Sequence, residues 1–278
     1  MDMEKSKTII IVLLLGLNII LFVLFLYTKS EALLSAQQVG KIEKTLELNG
    51  IQLNAKTITN FSDMRTIELI APENLEETAS VLFFDKEGDA EGKTLTVLEN
   101  SFLFENPLGT GTIALTEKSI KKKCDQEIKK IGNFFKLNGS LVFDGIYFDG
   151  GEYAVEYRLK YGKVLLYPVF VRFTVNENGI IRVRGELAQV AGFSGDERPI
   201  YSSDEVLFNL MYVLKNDFGV QDEIKIEKLD IVYYSGDTIT TESVYSATPY
   251  YRIYISINEE NIANFPYLVN AYTNTIIY

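Results

Sequence analysis

The sequence predicts an α+β protein: an N-terminal transmembrane helix followed by repeated units of a helix packed on an antiparallel β-sheet meander. Three observations lead there. An uncharged apolar run lies near the N-terminus. Three amphipathic stripes with helical spacing are distributed along the rest of the chain. Runs rich in β-branched and aromatic residues, broken by turns containing Gly and Asn, follow the second and third stripes.

The apolar run is Ile9 to Leu26, IIIVLLLGLNIILFVLFL, in which only Gly16 and Asn18 depart from Ile, Leu, Val and Phe. At about 1.5 Å per residue it is long enough to cross a hydrocarbon core of roughly 30 Å. A cleaved signal peptide is the rival reading, with Lys5 and Lys7 as its basic start. The stretch exceeds the usual ~7–15 apolar residues, and Leu34-Ser35-Ala36 is a poor cleavage site, so a retained signal-anchor is expected. Lysines flank the span on both sides, at 5 and 7 before it and at 29, 41 and 44 after it. The nearness of Lys5 and Lys7 and the N-terminal amine lean towards an N-terminus inside. An amide in hydrocarbon needs a partner, so Asn18 either pairs with another transmembrane helix, with Gly16 allowing close approach, or bonds back to its own helix.

Beyond the anchor, Val39, Ile42 and Leu46 form the first stripe, with Ser35 and Gln38 spaced as a capping box and Gly50 as a stop. Ile120, Cys124, Ile128, Ile131 and Phe135 mark a second helix over 116–138. Ser202 and Glu205 cap a third, whose stripe is Val206, Leu207, Leu210, Met211 and Leu214, ending near Gly219. Strands are predicted at 153–159, 164–175 and 180–187, and again at 224–234, 250–257 and 267–278. Asp149 to Glu152, Tyr161-Gly162 and Asn176 to Gly179 serve as turns. Asp85 to Lys93 and Gly192 to Pro199 read as exposed connections. Leu-Asn-Gly recurs at 48–50 and 137–139, suggesting helix-then-sheet repeats, although it is also a common helix stop. The resulting division is a tail and anchor over 1–29, a first extracytoplasmic helix-plus-sheet domain over 30–116, and a second region over 117–278, divisible into 117–196 and 200–278.

Composition narrows the chemistry. The chain has no histidine, which removes Ser-His and Cys-His nucleophile pairs and the commonest zinc ligand. A net charge of −11 repels nucleic acid. No phosphate-cradling glycine loop occurs, and no cofactor or metal is expected. The lone Cys124 falls on an apolar helix face, as a core thiol would. Asp144, Asp149 and Glu152 could form a carboxylate pair for cleaving wall polysaccharide, but Asp-Gly pairs are also ordinary turn chemistry. The second helix carries Lys118, Lys121, Lys122, Lys123, Lys129, Lys130 and Lys136. Of these Lys121, Lys122, Lys129 and Lys130 are the candidate contacts for an acidic partner, against the plainer reading of a solvated helix face. Seventeen tyrosines against no tryptophan suit half-buried strands and protein contact surfaces alike.

Met1-Asp2-Met3-Glu4-Lys5-Ser6-Lys7-Thr8-Ile9, followed by Leu-Asn-Ile-Ile-Leu-Phe at 17–22, resembles the opening of the YycI family. These are membrane-anchored regulators of the WalK–WalR (YycG–YycF) two-component system of low-GC Gram-positive bacteria. Met3 stands where that family typically has tryptophan. The resemblance implies an extracytoplasmic C-terminal domain and no catalytic role. It also implies contacts with a sensor histidine kinase and a YycH-like protein, through the transmembrane helix and the external domain. The membrane and a second copy of the chain complete the expected partners. A surface hydrolase of wall polysaccharide and a PepSY-type chaperone or protease inhibitor are the competing functions.

Overall fold

A computed structural model describes residues 3–31, 34–84, 92–218, 223–236, 244–258, 260–261 and 266–277. Its helices are α1 (Met3–Glu31), α2 (Ala36–Glu47), α3 (Leu75–Phe83), α4 (Glu117–Phe134) and α5 (Ser203–Asp217). The strands through the first half are β1 (Ile51–Leu53), β2 (Met64–Ile70), β3 (Thr94–Leu98), β4 (Ser101–Glu105), β5 (Ser140–Asp149), β6 (Glu152–Tyr161) and β7 (Val164–Asn176). The second half adds β8 (Gly179–Glu186), β9 (Gln189–Arg198), β10 (Ile224–Tyr234), β11 (Tyr245–Ile257), β12 (Glu260–Asn261), β13 (Tyr267–Asn270) and β14 (Ile276–Ile277).

Local chemistry explains the helix starts. At α2 the Ser35 backbone N–H donates to Gln38 Oε1 at 2.8 Å while the Gln38 N–H donates to Ser35 Oγ, which closes the capping box. Before α5 the Ser202 N–H and hydroxyl both donate to Glu205. Thr116 Oγ1 accepts from the Ser119 N–H to open α4. The apolar stripes then choose the buried faces: Ile42 and Leu46 on α2, Ile120, Cys124, Ile128 and Ile131 on α4, and Val206, Leu210 and Leu214 on α5.

All fourteen strands join one mixed sheet. This corrects the expected stack of separate antiparallel meanders. The join is parallel: β10 runs beside β7 through Val232↔Leu165 and Tyr233↔Leu166, and β1 lies parallel to β10 on Ile51↔Ile224. Pairing of β10 with an early strand cannot be read from local turn signals, because α5 provides the long crossover that a parallel pair requires. Gly192 to Pro199, expected as an exposed connection, lies largely in β9, because β2 supplies a partner strand through Thr66↔Ser194 and Ile67↔Phe193. Asp85 to Glu91 of the other expected connection lie outside the described residues, as do Gly219 and Tyr278.

Two principal cores lie against the sheet. Ile42, Leu46 and Ile51 pack with Leu207, Leu210, Leu214, Tyr251 and Ile253. Leu75 and Ala79 of α3 pack with Phe102, Phe104, Cys124, Ile128, Tyr157 and Phe173. Residues 30–116 are therefore shared, with α2 and β1 in one core and α3, β3 and β4 in the other.

The transmembrane reading is corrected as well. Among the described residues no helix is long and apolar enough to cross a membrane. The single-pass placement, with a cytoplasmic N-terminus and an extracytoplasmic C-terminal domain, rested on that span and is withdrawn with it. The side chains of Lys5 and Lys7 lie outside the described residues.

Candidate interaction site

Three places hold the residues singled out by the sequence. The first is α1. Asn18 is exposed and its Nδ2 donates to the Leu14 carbonyl at 2.9 Å, so the amide is satisfied within its own helix. An added Cβ at Gly16 would meet nothing within 4 Å.

The second is a turn of the sheet where two bulges face each other. Between Arg158↔Phe170 and Leu159↔Leu166 the register of β7 slips, leaving Tyr167, Pro168 and Val169 unopposed. Proline belongs in such a place because it has no N–H to lose from the ladder. Across from it, Asp144 is the unopposed residue of β5, between Phe143↔Tyr157 and Gly145↔Glu156. Gly145 beside it leaves room for the Tyr147 hydroxyl, which lies 2.5 Å from where a Cβ would stand. In a flat sheet Asp144 on β5 and Arg252 on β11 would be four strand spacings apart, roughly 19 Å. They are in contact, with Arg252 Nη1 2.5 Å from Asp144 Oδ2 and Nη2 2.9 Å from Oδ1. The sheet has curled until its two halves meet on this pair.

Around the pair the charges alternate. Arg252 also donates two bonds to Asp230, its cross-strand neighbour on β10, at 2.8 and 2.6 Å. Arg158 donates to Asp144 at 2.8 Å, to Glu156 at 2.9 Å and to the Tyr167 carbonyl that the bulge frees. Lys228 reaches Asp144 at 3.1 Å, and Arg172 closes on Glu156. The Arg158 guanidinium stacks 4.0 Å from the Tyr167 ring centre. Arg252 is fully buried, and Asp144 and Arg158 nearly so. Burial alone would raise the Asp144 carboxyl, but the hydrogen bonds and charge of Arg252, with Lys228 and Arg158, overcome it and hold the group well below the usual carboxylate range. Burial would likewise depress Arg252, and its bonds to Asp230 and Asp144 reverse that.

This arrangement suits ion pairing rather than hydrolysis. A glycosidase needs one carboxyl protonated near neutrality, and Asp144 is kept ionised. Glu152 sits in the Asp149–Glu152 hairpin turn, which Gly150 and Gly151 complete with positive φ values of 57° and 92°. The side chain of Asp149 lies outside the described residues. Among the described residues no three acidic or cysteine side chains converge as a metal site would require.

The third place is α4. Its apolar face is buried as the spacing predicts, and Cys124 is inaccessible. Burial, with the nearby Asp125 and Glu127 carboxylates, pushes that thiol up to about 12. Native protein is therefore expected to resist alkylation by iodoacetamide at about pH 8, and denatured protein to react fully. Rapid native labelling would contradict this placement. The candidate lysines divide into two groups. Lys121 bonds Asp125 at 2.8 Å and lies 5.0 Å from the Phe143 ring centre, while Lys130 bonds Glu127 at 2.9 Å. Lys122 and Lys129 are exposed, seven residues apart, and share a face with Lys118. Asp125 is in turn bonded by the Tyr157 hydroxyl at 2.6 Å, tying the lysine helix to β6.

Sequence reasoning did not single out Glu156, Arg158, Lys228, Asp230 or Arg252. The signal was present: Glu156 and Arg158 stand two apart, on one face of their strand, and Arg252 is the single charge in Tyr245–Ile257. Of the tyrosines, Tyr157, Tyr251 and Tyr254 are buried, whereas Tyr153, Tyr161, Tyr167 and Tyr250 are half-buried at the sheet surface.

No protein-family model matches the chain, and no curated protein matches it. Among solved structures, an uncharacterized protein from Eubacterium rectale ATCC 33656 is similar with a TM-score of 0.49 at 10% identity, over 82% of this chain and 90% of that one. The Bacillus megaterium YpeB C-terminal domain is similar with a TM-score of 0.36 at 10% identity, over 74% of this chain and 98% of that one.

Proposed function

We propose that the chain is a non-catalytic regulatory protein of the YycI kind that acts by binding a sensor histidine kinase of a cell-wall two-component system, with a YycH-like protein as a second partner. The observation that carries this reading is where the charge lies. Asp144, the central acid of the candidate carboxylate cluster, is locked in ion pairs inside the curled sheet. The cations of α4 lie on the surface of an acidic protein, on a helix anchored to the sheet through Asp125 and Tyr157. Cations so held are preorganised for an acidic partner surface. The resemblance of residues 1–22 to the YycI opening supplies the identity of that partner.

The double variant Lys122→Glu/Lys129→Glu tests the surface. It is expected to weaken binding to the kinase sensor region by about tenfold at low ionic strength and by less at high salt, since exposed charges are screened. Its melting temperature should stay at the wild-type value, because both residues are exposed. Undiminished binding would remove α4 from the interface.

A further inference from the structure

We propose that the outer edge of β3 is a docking site for an extended, basic segment of another protein, which adds to the sheet as a further strand. β3 is the terminal strand of the main sheet path, paired among the described residues with β4 alone. Its register with β4 is unbroken from Thr94↔Glu105 to Leu98↔Ser101.

Proteins normally blunt such an edge with charge, proline, a bulge or a very short strand. The other described edges follow that rule. β5 is bulged at Asp144, β9 slips register against β2 and ends in Asp196, Glu197 and Arg198, and β1, β12 and β14 are very short, at three, two and two residues. β3 reads Thr-Leu-Thr-Val-Leu, without charge, proline or bulge.

The core beneath this edge is incompletely covered. Leu95 and Val97 point towards the α3–α4 core yet remain half-exposed, as do Leu82 and Phe83 of α3 beside them. A further strand would supply the missing cover through alternate side chains, while its backbone pairs with the edge of β3 that no described strand occupies.

The chemistry of the occupant follows from what borders the strand. A groove of about 920 Å³ runs between the end of β3 and the start of α3, lined by Val97, Leu75, Glu73, Glu76, Glu77 and Glu99 among others. An incoming strand with lysine or arginine near one end would place it among those four glutamates. A second copy of this chain would bring the same glutamates and a net charge of −11 with it, so self-pairing is disfavoured. This inference concerns the opposite charge from the α4 contact and stands whether or not the kinase reading holds.

The test uses the full chain and three capped peptides measured by calorimetry. One alternates valine and threonine and ends in two lysines. The second carries the same side chains with alternate backbone nitrogens methylated. The third has glutamates in place of the lysines. The first peptide is expected to bind. Methylation should abolish binding, since it removes the ladder donors, and the acidic peptide should bind at least about tenfold more weakly. Glu76→Lys/Glu77→Lys, both exposed, should reverse the preference between the lysine and glutamate peptides. Failure of the first peptide to bind, or equal binding of the methylated one, would overturn the proposal. So would a disulfide-linked dimer formed by Thr96→Cys, which would identify the occupant as a second copy.

Discussion

Replacement of Arg252 by methionine is expected to lower the stability of the protein by about 3–5 kcal/mol, the cost of breaking a buried ion pair by removing one partner. Methionine preserves most of the volume, so the loss reports the charge rather than a cavity. Asp144 and Asp230 both face the vacated position, and Asp144 is 1% exposed. Equilibrium unfolding in urea measures the effect. The double variant Asp144→Asn/Arg252→Met should be less destabilised than the sum of the two single changes, because each removes a charge that the other leaves uncompensated. Strict additivity would mean that the pair does not hold the two halves of the curled sheet together.

The same network adds an acid-sensitive contribution to stability. The carboxyl of Asp144 is depressed in the folded state, so its contribution to stability is complete above the ordinary aspartate value of about 3.9 and is lost as pH falls below it. Asp144→Asn is therefore expected to be less stable than wild type near neutrality and to show a shallower decline in acid. Parallel stability curves for the two proteins below about pH 4 would contradict the depressed carboxyl.

The second large effect concerns residues 34–53. A fragment beginning at Glu117 is expected to show no cooperative unfolding transition, although it contains α4, α5 and ten of the strands. It lacks the α2 and β1 side chains Ile42, Leu46 and Ile51, all nearly or fully buried against α5 and the second-half strands. It also lacks Phe102 and Phe104, which pack with Phe135, Phe83 and Phe84. Within the whole chain, Leu46→Ala should cost about 2–5 kcal/mol and should destabilise the α5 core rather than a separate N-terminal unit. Hydrogen exchange that accelerates on α5 as well as α2 would establish that coupling. A fragment 117–278 that melts cooperatively would refute it.

Much of the secondary structure was legible because it is written locally. Ser35 with Gln38 and Ser202 with Glu205 announce their helices, and the alternation in 153–187 announces the hairpins. What escaped is set by distant pairing. The α3 segment is short and has no side-chain cap, Asn74 before it adopting φ 54°. β9 looks like a connection because Gly192, Gly195 and Asp196 weaken it, and only β2 makes it a strand. The parallel joints at β1 and β7 depend on the crossover through α5. The buried network escaped for a related reason. Asp144 reads as a turn residue beside Gly145, and only the bulge and the curl of the sheet bring Arg158 and Arg252 to it. The lysine stripe of α4, by contrast, follows from spacing alone, since one helix places it.

The central claim is that this protein regulates by binding, and kinase-dependent transcription in cells tests it most directly. Deletion of the gene should change the output of the kinase's target promoters. Resupply of the wild-type chain should restore it, and resupply of Lys122→Glu/Lys129→Glu at equal abundance should not. Output that is indifferent to deletion would contradict the account.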